Sequence, residues 1–193
     1  MKKTIKSLLW ATTVLIIIGS SGAWAIPMAD VKYLEADLGT GSWEYQFTVY
    51  NTSNPIEDPG SNIYEVLLDI GIVAGLTSIE NIGLPGGWQY LTSPGNGNDI
   101  SGFVEIFSLI PGVPPIGTDI VPGDTLGGFE FRFDQKLNAM DFSATFTNAT
   151  APDNPFKFDG TTTPVPEPST VLLLAVSLTG LAVISRKKFN NSV

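Results

Sequence analysis

The sequence predicts an all-β fold. It reads as a single antiparallel β-sandwich, Ig-like or jelly-roll, flanked by an N-terminal signal peptide and a C-terminal transmembrane helix. Three observations carry this. Apolar and polar residues alternate with period two in several short runs. Clusters of Pro, Gly, Asn and Asp separate the runs at near-regular spacing. No long amphipathic helical pattern competes with them.

Residues 1–25 read as a signal peptide. Lys2, Lys3 and Lys6 precede an uncharged stretch over residues 8–18. Ala23 and Ala25 then put small residues at the two positions that signal peptidase reads, so cleavage is expected after Ala25. The partners implied are the Sec translocon and signal peptidase.

Residues 26–160 read as one exported domain, since about 140 residues suit a single core. In residues 42–50, Trp43, Tyr45, Phe47 and Val49 alternate with Glu44, Gln46, Thr48 and Tyr50. In residues 128–134, Phe129, Phe131 and Phe133 alternate with Glu130, Arg132 and Asp134. In residues 141–147, Phe142, Ala144 and Phe146 do the same. These are half-buried strands. Residues 31–38, 64–70, 88–91, 103–109 and 156–158 are expected as further strands, seven or eight in all. Residues 76–82 fit a short helix or a strand equally. Turn residues punctuate the runs at 54–55, 58–60, 85–87, 94–97, 111–115 and 122–124.

Residues 161–169 read as a Thr- and Pro-rich linker. Pro164, Pro166 and Pro168 exclude a helix there, so the stretch is expected to be extended and exposed. Residues 170–185 contain no charge and, with Ser169 before them, reach roughly 26 Å as a helix, near the lower limit for a bilayer span. Arg186, Lys187 and Lys188 follow, and residues 186–193 read as a basic cytoplasmic tail. With basic residues at both termini, the segment between is expected outside the cytoplasm.

Val165-Pro166-Glu167-Pro168-Ser169, an apolar run and a basic cluster, in that order, resemble the PEP-CTERM sorting signal of Gram-negative bacteria. The resemblance covers about the last 30 residues. It implies that an integral-membrane exosortase recognises Pro166, Glu167 and Pro168. It also implies that the apolar run is a transient inner-membrane anchor facing the periplasm, and that the product belongs at the cell surface or in an exopolysaccharide or biofilm matrix. A second segment pair, Gly86-Gly87-Trp88 and residues 120–129, resembles a pattern of PEP-CTERM ectodomains and implies sandwich topology. Rival anchors lack their residues: there is no Cys for a lipoprotein and no Leu-Pro-x-Thr-Gly motif.

Composition narrows the chemistry. With no His and no Cys, Ser-His-Asp and Cys-His catalysis, disulfides and the commonest zinc ligand are excluded. Between residues 26 and 168 there are 19 acids and 4 bases (Lys32, Arg132, Lys136, Lys157), hence −15 against −9 for the whole chain. Such a surface repels nucleic acid, so no nucleic-acid partner is expected.

The remaining candidates are weak. Trp88 and Tyr90 follow a Gly-Gly turn and are the candidate glycan-stacking residues, with core packing the favoured alternative. Trp43 and Tyr45 share a strand face with Phe47 and Val49 and read as core. Asn96, Asn98 and Asp99, or Glu57 and Asp58, have calcium-ligand chemistry, but ordinary turn formation explains them better. Glu105, flanked by Val104 and Ile106, reads as an outward strand residue rather than a catalytic acid. Asn51 and Asn148 sit in Asn-x-Ser/Thr patterns without expected consequence in a bacterial chain. The expectation is therefore a non-enzymatic exported matrix or surface protein, without metal or cofactor. The alternative is an exopolysaccharide-binding module, with a glycan-acting enzyme ranked below both.

Overall fold

The computed structural model describes residues 26–109, 117–147 and 154–166. Ten strands run through them: β1 Ala29–Asp37, β2 Trp43–Asn51, β3 Ile63–Gly71, β4 Ile79–Gly83, β5 Trp88–Ser93, β6 Gly102–Ser108, β7 Thr125–Phe133, β8 Asp141–Phe146, β9 Phe156–Thr161 and β10 Thr163–Pro164. They form two five-stranded sheets, ordered β10-β1-β2-β7-β4 and β5-β6-β3-β8-β9. All pairings are antiparallel except β1 with β10.

The period-two runs produce this arrangement directly. Register sets Phe47 opposite Phe129 and Tyr45 opposite Phe131, with Trp43 opposite Phe133. The inward positions Val31, Tyr45, Phe47, Val49, Phe129, Phe131 and Phe133 of one sheet are nearly inaccessible. So are Val66, Leu68, Val104, Ile106, Ala144 and Phe146 of the other. The two faces meet where Trp88 and Tyr90 of β5 contact Phe129 and Phe131 of β7, with ring centroids 5.2 and 5.8 Å apart. The described chain is thus an all-β sandwich, its core held between aromatic strands.

The chain changes sheets at β2→β3, β3→β4, β4→β5, β6→β7, β7→β8 and β9→β10. One crossover region is tied by Asn51, 1% exposed, whose Nδ2 donates to the carbonyls of Ser61 and Ile120 at 2.8 Å each. Asn51 is therefore an interior fastener with no accessible amide for a glycan. Ile63 and Ile120 exchange backbone hydrogen bonds at 2.9 Å beside it.

One open choice is decided and one stretch departs from expectation. Of the two alternatives for residues 76–82 the strand is found: Ile79–Gly83 forms the edge strand β4 paired with β7, while Leu76 drops into the core. Residues 161–163 are not linker. Thr161 ends β9 and Thr162 is 1% exposed. Thr162 N–H donates to the Met140 carbonyl at 2.8 Å, and its hydroxyl accepts the Met140 N–H at 2.9 Å. The expected signal peptide, membrane helix and basic tail lie outside the described residues. Among the described residues no helix is long and apolar enough to cross a membrane.

Candidate functional site

The sorting candidates begin where the sandwich ends. Thr163 and Pro164 lie parallel to Lys32 and Tyr33 of β1, and Val165 N–H donates to the Tyr33 carbonyl at 2.8 Å. Pro164, Val165 and Pro166 are exposed and extended, as the prolines require. A proline beside an edge strand is permitted because its missing N–H faces no ladder partner. One residue, Thr163, separates the buried Thr162 from Pro164. Glu167, Pro168, Ser169, Arg186, Lys187 and Lys188 lie outside the described residues, as do Ala23 and Ala25.

The aromatic pair divides. Trp88 is 4% exposed, with its ring edge on Phe129 and its Nε1–H donating to the Thr118 carbonyl at 3.0 Å. This corrects its candidacy for sugar stacking: neither face of the indole is open, and its polar atom is satisfied inside the fold. Gly87 sets this up. Its φ of +81° turns the chain so that Trp88 enters β5 on an inward phase, and a Cβ there would meet Thr118 Cγ2 at 2.4 Å. Tyr90 is also on an inward phase, but near the sheet edge it stays 40% exposed while one side covers Phe131. Glu105 sits between fully buried Val104 and Ile106 and faces outward, as alternation expects.

The Asn96–Asp99 segment is a turn. Asn96 Oδ1 accepts the N–H groups of Asn98, Asp99 and Ile100 at 2.9–3.0 Å, and Asn96 Nδ2 bonds Asp99. Its oxygen is spent on backbone, the pattern of an Asx-type turn. Among the described residues no three acidic side chains are grouped as a metal would need.

Two polar features were not singled out from sequence. Tyr45, fully buried, donates its hydroxyl to Glu35 Oε2 at 2.6 Å and accepts the Leu137 N–H at 2.8 Å. Burial pushes the phenol well above its usual pKa, and the Glu35 carboxylate adds to this. Glu35 in turn holds Lys136 Nζ at 2.8 Å, and that ammonium lies 4.6 Å from the centre of the Trp43 ring. The hydrogen bond with Glu35 raises the Lys136 pKa. Trp43 itself is half-buried and packs against the core cluster rather than within it.

The second feature is a cleft of about 510 Å³ on the outer face of the other sheet, lined by Leu67, Asp69, Asp141, Ser143, Asp159 and Thr161. Strand register brings it together. Asp69 lies opposite Asp141 and Asp141 opposite Thr161, all at outward positions of β3, β8 and β9. Thr161 Oγ1 donates to Asp141 Oδ1 at 2.9 Å.

None of the curated proteins matches the sequence. Among solved structures, the chain is similar to a GH20 exo-β-N-acetylglucosaminidase from Vibrio harveyi, with 10% identity and a TM-score of 0.36. That match covers 72% of this chain but only 18% of the Vibrio chain. It is also similar to a CBM3 of Hungateiclostridium clariflavum, with 15% identity and a TM-score of 0.36, over 55% of this chain and 71% of the other. The sandwich assignment rests on the chain's own strand pairing. Residues 164–188 match the PEP-CTERM protein-sorting motif. The chain thus carries a PEP-CTERM sorting motif that starts on the last strand of its sandwich, and that motif marks an exported protein sorted to the cell envelope through exosortase processing.

Proposed function

We propose that this chain is a non-catalytic structural protein of the cell surface or extracellular matrix. In this reading Sec exports it, residues 170–185 hold it briefly in the inner membrane, and an exosortase then reads Pro166-Glu167-Pro168 and releases or transfers the sandwich. The single observation that carries the reading is the sorting motif at residues 164–188. The missing His and Cys support a non-catalytic role, because the usual nucleophile–base pairs cannot be assembled. The acidic exported segment suits a soluble, mutually repelling component of a hydrated matrix.

The test is deletion of Pro166–Pro168 in the native host, followed by cell fractionation. The expected result is an unprocessed, membrane-retained chain. Unchanged size and location would remove the sorting reading.

A second reading, binding of exopolysaccharide, is favoured by one observation: Tyr90 keeps 40% of its surface open at the β5 edge. It no longer includes Trp88. Titration of the exported protein with host polysaccharide, before and after Tyr90→Ala, decides it. Binding that the substitution abolishes supports the reading; absent or unaffected binding removes it.

A further inference from the structure

The sorting motif and the sandwich overlap. The motif match begins at Pro164, and Pro164 is the last residue of β10. Up to Thr162 the chain is fixed by two bonds to Met140 and by burial. Beyond it, the described residues are exposed and are held by edge pairing with β1. Pro164 and Pro166 have no N–H. Among the described motif residues Val165 therefore has the sole backbone donor, and that donor is committed to the Tyr33 carbonyl at 2.8 Å.

An enzyme that reads an extended peptide does so mainly through backbone hydrogen bonds, in the manner of strand addition. Here the β1 edge already occupies that role. It also places the folded body one residue from the start of the motif, since only Thr163 separates buried Thr162 from Pro164.

We propose that β10 is a detachable strap: residues 163–165 must peel from the β1 edge, hinging at Thr162–Thr163, before the motif can be read. The proposal rests on the exosortase reading above. The fold thereby gates its own processing. Docked, β10 shields the Lys32–Tyr33 edge from strand addition by other chains. Detached, it delivers the motif with Val165 N–H free. Lengthening the segment should relieve the gate, and fastening it should close it.

The chain contains no Cys, so an engineered bridge is unambiguous. Lys32 and Thr163 are register partners on an exposed edge, and neighbouring strand positions fall within disulfide reach. Full-length Lys32→Cys/Thr163→Cys protein, purified from a host strain lacking the exosortase, would be mixed with native-host membranes before and after dithiothreitol. Only the detached fraction is read, so the oxidised form should be cleaved at least about tenfold more slowly, with wild-type rate restored on reduction. Cleavage of verified oxidised protein at the wild-type rate overturns the strap.

A second variant with Gly-Ser-Gly-Ser inserted between Thr163 and Pro164 should be cleaved at least as fast as wild type, and slower cleavage also overturns the strap. Glu167→Ala separates the two claims. If it is cleaved normally, the sorting reading fails and takes the strap with it. If it is uncleaved while the bridged form is cut freely, the strap alone fails.

Discussion

The indole of Trp88 meets the ring of Phe129 edge-on, with centroids 5.2 Å apart and planes at 78°. The contact joins the start of β5 in one sheet to the middle of β7 in the other, so it lies across the sandwich. Truncation should therefore act on stability. Trp88→Ala is expected to cost about 3–5 kcal/mol, the range for emptying a large aromatic site in a packed core. Urea denaturation of the exported protein measures it. A loss under about 1 kcal/mol would mean that Trp88 is not a core residue.

Gly87, immediately before it, tests the turn. Its φ of +81° and the 2.4 Å approach of a Cβ to Thr118 Cγ2 make Gly87→Ala strained twice over. The expected destabilisation is about 1–3 kcal/mol. Gly86, where an added Cβ meets nothing within 4 Å, is the control and should tolerate Ala far better.

The Tyr45 hydroxyl serves Glu35 and Leu137 together. Tyr45→Phe keeps the ring stacked beside Phe47 but leaves the buried Leu137 N–H without its acceptor. A loss of about 1–3 kcal/mol is expected, with little change in the spectroscopic signature of the fold. A neutral substitution would show that the hydroxyl bonds add nothing to stability.

Asp134 supplies the pH dependence. Partial burial pushes its carboxyl up, but the Thr77 hydroxyl and the N–H groups of Thr77 and Ser78 outweigh this and hold it below the ordinary 3.8. A depressed folded pKa stabilises the protein above the unfolded value, and the contribution is lost as pH falls through the folded value. Asp134→Asn should therefore cost about 1 kcal/mol at pH 7 and less at pH 2. Unfolding curves at the two pH values check it, and an equal effect at both would contradict the linkage.

Strand alternation made β2, β7 and β8 legible, because each places three or more apolar residues at every second position. The inward face follows without knowledge of partners. Trp88 was harder: a Gly-Gly turn before an aromatic residue fits both an exposed platform and the favoured core position, and the positive φ of Gly87 with the contact to Phe129 decides for the core. Thr161–Thr163 read as linker because short hydroxyl residues beside prolines have no periodicity. Their role comes from Met140 and Asp141, about twenty residues away in sequence. The cleft is a property of strand order, which alternation does not specify: Asp69, Asp141 and Asp159 line one cleft only once β3, β8 and β9 are neighbours. The sorting motif was legible outright, since its order of motif, apolar run and basic cluster is linear.

Sorting is tested most directly by the intact mass of the protein recovered from the surface or matrix fraction of the native host. Processing at both ends predicts a chain beginning at Ile26 and ending near the Pro166-Glu167-Pro168 motif, without the apolar run or Arg186–Lys188. A surface-located chain that retains residues 170–193 would contradict it.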